Sequence, residues 1–145
     1  MLYELKGDLF NVDESYMLAH CVGSDFCMGA GIAVEFKRRF GYQDYLIATC
    51  RGVGTCTVIK AKDIYKQSDY IVGYLVTKLR SNGKPTYQTL EASLIEMFGT
   101  VKANGITKIA MPRIGCGLDR LSWIVVKDML KRLCPEGVEI HVYSL

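Results

Sequence analysis

Apolar positions along this chain recur with two different periods. Leu2–Lys6 (LYELK) alternates apolar and polar residues and predicts a half-buried edge strand. Tyr16–Val22 (YMLAHCV) is mostly apolar and predicts an interior strand. In Ile32–Phe40 (IAVEFKRRF) the spacing becomes helical. Ile32, Phe36 and Phe40 share one face, and Gly41 supplies a natural helix end. Residues Tyr42–Thr49 predict a second short helix. Thr55–Ala61 and Tyr70–Thr77 are rich in β-branched and aromatic residues and predict a strand pair around a polar turn region, KDIYKQSD. Thr86–Ala103 carries Leu90, Leu94, Met97, Phe98 and Val101 at i, i+4, i+7, i+8 and i+11, an amphipathic helix closed by Asn104-Gly105. Ile106–Met111 predicts a short strand. Ser122 is placed to cap a helix running to about Cys134, with Leu121 and Val126 at the spacing of a hydrophobic staple. Pro135 and Gly137 end that helix, and Val138–Leu145 predicts the last strand.

Strands alternating with helices predict one α/β domain over residues 1–145. The expected architecture is a three-layer α/β/α sandwich around a mixed, mostly parallel sheet. Ligands in such sheets sit at the carboxyl ends of strands. Two glycine-rich segments, Gly23–Gly31 (GSDFCMGAG) and Gly115–Gly117 (GCG), fall at such ends.

Composition narrows the class without naming a partner. The chain is 50% hydrophobic and 23% charged, with a net charge of +3. This fits an anionic ligand, but no basic tail or helix argues for nucleic acid on charge alone. The start, MLYELKGDLF, lacks the pattern of a secretory signal, and no apolar run approaches the roughly 18 residues of a membrane span. The six cysteines form no CxxC pair and are read as reduced thiols in the nucleus or cytosol, in a protein that is not secreted. The spacings Cys21/Cys27 and Cys50/Cys56 lie outside those of zinc ligands. No metal or dissociable cofactor is expected, no membrane partner either, and a monomer is the default state.

Each motif has a plain reading beside a chemical one. In MGAGIAVEF, Gly29, Ala30 and Gly31 lead into a helix whose first N–H groups are unpaired and suit phosphate; the plain reading is a tight turn. GCGLDR is a second loop of this kind, and two such loops at one sheet end can grip a diphosphate from both sides. Asp119 is either a charge near a helix start or a general acid/base beyond the phosphates. Lys78 is either a solvated strand end or a nucleophile tuned by partial burial and neighbouring positive charge. Asp8 is a turn residue or an acceptor for an exocyclic amine. His20 lies in an apolar strand, where a core histidine is the plain reading. Cys116, between two glycines, is read first as a small thiol packed against a ligand and second as a nucleophile with His20 as base.

KGDLF, LAHCV, MGAGIAVEFKRRFG, YLVTK, KPTYQTL, MPRIGCGLDRL and VYSL together resemble a macro domain. More narrowly, they resemble the terminal ADP-ribose protein glycohydrolase branch, from about Tyr3 to Leu145. The resemblance implies ADP-ribose in a cleft at one end of the sheet. Asp8 would hold the adenine amino group and Leu9 would pack at the adenine. Met28, Gly29, Ala30, Gly31 and Ile32 would line the diphosphate and distal ribose. Arg113, Ile114, Gly115, Cys116, Gly117 and Leu118 would form the second phosphate loop. His20, Thr77, Pro112 and Leu145 would complete the binding set, with Lys78 and Asp119 as the catalytic lysine and aspartate. The chain departs from the family pattern at Gly23, where a serine is common, at Leu79, where a second lysine often follows, and over Tyr45–Ser68.

The implied activity is removal of single ADP-ribose groups from glutamate or aspartate of modified proteins, with O-acetyl-ADP-ribose deacetylation beside it. Poly(ADP-ribose) and ADP-ribosylated nucleic acid stay open as further ligands or substrates. Two other classes also stay open: a reader that binds ADP-ribose without cleaving it, and a Cys116–His20 hydrolase.

Overall fold

A computed structural model describes residues 1–145. Strands β1 (Leu2–Lys6), β2 (Met17–Gly23), β3 (Thr55–Asp63), β4 (Ser68–Lys78), β5 (Lys108–Met111) and β6 (Glu139–Ser144) form one sheet in the order β1-β6-β5-β2-β4-β3. Every neighbouring pair is parallel except β3–β4. Helices α1 (Ile32–Phe40) and α2 (Gln43–Thr49) cover one face. Helices α3 (Tyr87–Ala103) and α4 (Trp123–Leu133) cover the other. The result is the expected three-layer α/β/α arrangement.

Strand alternation sorts the core. On β2, Met17 and Ala19 join Leu90, Leu94, Met97 and Val126 on the α3/α4 side. Leu18 and Val22 join Phe36, Phe40, Leu46 and Tyr74 on the α1/α2 side. The α3 stripe is buried as its spacing predicts. Thr86 caps that helix, with reciprocal bonds between Thr86 and Thr89. No helix is long and apolar enough to cross a membrane.

Several boundaries differ from the expected ones, each for a local reason. The hairpin strands run further, leaving only Ile64–Gln67 as the turn. Asp63 holds that turn by accepting from the Tyr65 and Lys66 amides, and it is itself buried against Arg39 at 3.0 Å. Strand β5 starts at Lys108, because the Ile106 amide bonds back to Val101 at the end of α3. Ser122 stands at the α4 cap position, but its side chain makes no capping bond; its amide donates to the Tyr87 hydroxyl at 2.9 Å. On β1 only Leu2 is partly buried, so the edge is more open than half-buried.

His20 is fully buried and stacks on Phe36 with ring centroids 3.8 Å apart. Neither ring nitrogen has a partner. Burial pushes its imidazole down to about 3, from about 6.5 when exposed. Between those values the unfolded chain binds a proton that the folded chain refuses, so stability rises with pH across this window. Acidification below about pH 6.5 is expected to cost up to about 1.4 kcal/mol per unit from this residue. His20→Phe keeps the packing and removes that slope, which denaturant titration across mildly acid pH measures. A slope equal to wild type would show that the acid sensitivity arises elsewhere.

Candidate active site

The parallel strands set the site. The carboxyl ends of β1, β6, β5, β2 and β4 reach one edge of the sheet, and their loops enclose a cleft of about 1110 Å³. A smaller hollow of about 390 Å³, at Met1, Leu2 and Cys134–Gly137, lies at the strands' amino ends and holds neither glycine loop.

One wall of the cleft is Cys27–Ala33. Gly31 precedes α1 at φ +63° and offers no side-chain cap, leaving the first amides of α1 facing the cleft. The other wall is Pro112–Leu121 after β5. There Gly115 holds φ +73°, and a Cβ on it would meet Leu121 Cδ1 at 2.9 Å. The two walls approach each other at Gly31 and Leu118, where a Cβ on the glycine would lie 3.6 Å from Leu118 Cδ1. Of five non-glycine residues with positive φ, Met28 and Arg120 lie on these two walls and Phe26 directly precedes the first. Backbone strain of this kind gathers at working sites when the surroundings enforce it.

Lys78 ends β4 between the walls. The β2–β4 register slips at Val22/Gly23: Val22 pairs with Val76, but Gly23 pairs with Lys78. Thr77 is thus the extra residue, and such bulges re-aim the next side chain. The Lys78 ammonium donates to Asp119 Oδ1 at 2.6 Å, and both side chains are nearly buried, at 12% and 13% exposure. Lys84 donates to the Leu118 carbonyl at 3.2 Å and ties the loop after β4 to the second wall. Cys21, on the same cleft, has its thiol pushed up to about 12 by burial and then by the negative charge of Asp119.

The cleft gathers Met28, Gly29, Ala30, Gly31, Ile32, Lys78, Pro112, Arg113, Ile114, Gly115, Cys116, Gly117, Leu118 and Asp119. Asp8, Leu9, His20, Thr77 and Leu145 stand outside its lining. Asp8 caps the short turn Leu9–Asn11 by accepting from the Phe10 amide at 2.9 Å, and it follows Gly7, whose amide bonds to Ser144 at the cleft's flank. Leu9 and Thr77 are buried, and Leu145 is almost fully exposed. Residues Ser81–Lys84, Arg120, Trp123 and Tyr143 line the cleft without the sequence having given them a site role. A parallel β2–β4 pairing is the signal that would have found the first of these.

The Cys116–His20 pairing is not made. His20 packs on Phe36 on the α1 side, whereas Cys116 packs against the α3/α4 cluster. Burial, reinforced by Asp119, pushes the Cys116 thiol up to about 11 despite Arg113. Thiolate is the reactive form, so alkylation of Cys116 by iodoacetamide is expected to climb about tenfold per pH unit from neutrality to about pH 10. Peptide mass spectrometry of the folded protein reads that profile, with exposed Cys27 as internal comparison. Labelling that plateaus near neutral pH would reinstate Cys116 as a nucleophile.

With this geometry in view, comparison with known proteins is specific. The chain is 42% identical over 142 residues, 97% of its length, to the human ADP-ribose glycohydrolase OARD1, of which it covers 90%. It is 29% identical over 151 residues to the DNA ADP-ribosyl glycohydrolase of Thermus aquaticus, covering 99% of this chain and 41% of that protein. The fold superposes on the macrodomain of Thermus aquaticus DarG with a TM-score of 0.84 at 24% identity, over 100% of this chain and 99% of that one. The family profile described as Macro domain matches residues 19–130. The chain belongs to the macro domain family.

Proposed function

We propose that this chain is an ADP-ribosyl hydrolase that releases single ADP-ribose groups from glutamate or aspartate of modified proteins, with Lys78 as nucleophile and Asp119 as acid/base. The 2.6 Å contact of Lys78 Nζ with Asp119 Oδ1, held between two glycine loops, carries this reading. A module that only binds ADP-ribose needs neither group. The relationship to the human ADP-ribose glycohydrolase supports the reaction class.

In the substrate an ester joins the protein carboxylate to the anomeric carbon of the distal ribose. The amides at the α1 start and along the second wall suit the diphosphate, and gripping it orients that ribose at Lys78. Asp119 takes a proton from the Lys78 ammonium. The freed amine attacks the anomeric carbon, and the new C–N bond forms as the C–O bond to the protein carboxylate breaks, giving a covalent adduct. The protein carboxylate leaves without needing full protonation. Water then resolves the adduct, and the proton on Asp119 returns as the amine is regenerated. O-acetyl-ADP-ribose is a small substrate for the same cleft.

A second reading, cleavage of ADP-ribose from a nucleic-acid base, takes support from the relationship to DNA ADP-ribosyl glycohydrolases. A base nitrogen is a poorer leaving group than a carboxylate and demands more from Asp119 as acid. Release assays on glutamate-modified protein and on ADP-ribosylated DNA separate the two. Lys78→Ala is expected to abolish release, and Asp119→Ala to lower kcat by about 10²–10⁴-fold, both with ADP-ribose binding retained. Wild-type protein that binds ADP-ribose and releases nothing from either substrate would make the chain a reader.

A further inference from the structure

Asp25 takes no part in the reaction just described, yet it stands where the first wall meets the end of β4. Its carboxylate accepts three hydrogen bonds. The Ser81 amide donates to Oδ2 at 2.9 Å, the Ser81 hydroxyl to Oδ1 at 2.5 Å, and the Cys27 amide to Oδ1 at 3.2 Å. Ser81 lies three residues beyond Lys78, and Cys27 begins the wall at the α1 start. One side chain therefore ties the segment carrying Lys78 to the loop that faces the diphosphate.

Other contacts converge on the same segment. The Ser24 amide donates to the Lys78 carbonyl at 2.9 Å, and the Ser24 hydroxyl to the Leu79 carbonyl at 2.5 Å. Gly23 allows this closeness. A Cβ there would lie 2.6 Å from the Ser81 nitrogen and 2.7 Å from the Arg80 carbonyl carbon, both backbone atoms. The glycine at this position thus lets the chain after Lys78 pass directly over the bulge that aims the lysine. Burial works against the charge on Asp25, but the Ser81 hydroxyl and the Ser81 and Cys27 amides outweigh it and hold the carboxyl below its ordinary range.

We infer that Asp25 is a positioning residue that sets the distance between the Lys78 amine and the phosphate-holding wall. This rests on the lysine reading above. Diphosphate binding orients the distal ribose relative to the walls, so a slack connection from the first wall to Lys78 leaves affinity intact and loses attack geometry.

The test compares Asp25→Ala, Asp25→Asn, Ser81→Ala and Gly23→Ala with wild type. The readouts are kcat and KM for release from glutamate-modified protein, the ADP-ribose Kd by calorimetry, and the melting temperature. Asp25→Ala is expected to lower kcat by about 10- to 100-fold, the penalty of a misplacement near 1 Å, with KM and Kd held. Asp25→Asn retains an acceptor for the Ser81 amide and loses less, and Ser81→Ala loses less again. Gly23→Ala forces the same segment away from the opposite side and is expected to share the kcat-only signature. Unchanged kcat in Asp25→Ala, or a Kd that weakens in step with kcat, overturns the proposal. If Asp25→Ala fails to fold, Asp25→Asn and Ser81→Ala decide it on the same criteria. A Lys78→Ala control that still releases ADP-ribose overturns the lysine reading and this proposal with it. An inactive Lys78→Ala beside a fully active Asp25→Ala overturns the positioning role alone.

Discussion

Parallel pairing of β1, β6, β5, β2 and β4 is the constraint on which the rest depends, because it brings five carboxyl ends to one sheet edge. The amides at the start of α1 and the strained loop after β5 become neighbours only through that alignment. An antiparallel β2–β4 pair would send Lys78 to the far edge, away from both glycine loops. Only β3 runs against the others, at the edge where nothing lines the cleft. The segment Tyr45–Ser68 is mostly α2, β3 and the hairpin turn, and none of it lines the cleft.

Bonds beyond the strands turn the shared edge into a defined geometry. Strand ends are loose by nature, since their last residues lack ladder partners on at least one side. Here the β2–β4 ladder is carried past its bulge by the bond from the Ser24 amide to the Lys78 carbonyl. The loop beyond Lys78 is then fastened to one wall through Asp25 and to the other through Lys84 and Leu118. Thr89, in the first turn of α3, adds a bond to the Thr77 carbonyl at 2.7 Å. Lys78 is held from three directions although it ends its strand.

Much of this was legible in the chain because it is local. The period of Ile32, Phe36 and Phe40, the α3 stripe and the apolar run of β2 each fall within one element, and each element formed. The glycine loops announced themselves by composition. The Lys78–Asp119 contact joins residues 41 apart, and no spacing rule reaches that far; only the family resemblance put them together. The Asp25–Ser81 contact spans 56 residues, and SNG reads as an ordinary turn, so nothing marked it. His20 shows the reverse case. The apolar run of β2 pointed to a core histidine, and the ring is fully buried against Phe36, outside the cleft lining.

The electrostatics of the cleft explain how an aspartate is tolerated beside a site for a diphosphate. Asp119 is the one carboxylate in the lining, against Lys78, Lys84, Arg113 and Arg120. Arg113 is partly engaged by Glu4 at 3.6 Å and lies over the Trp123 ring. Arg120 and the α1 amides are left to meet a bound anion, with Lys84 held at the Leu118 carbonyl beside them. At 2.6 Å from Lys78, Asp119 presents that anion with half of a neutral pair rather than a bare negative charge. In the proposed reaction, proton transfer from lysine to aspartate turns an ion pair into two neutral groups, so the net charge of the cleft would be the same before and after. On that proposal the nucleophile is released without changing the total charge available to hold a diphosphate, so phosphate binding and lysine activation are compatible in one small cleft.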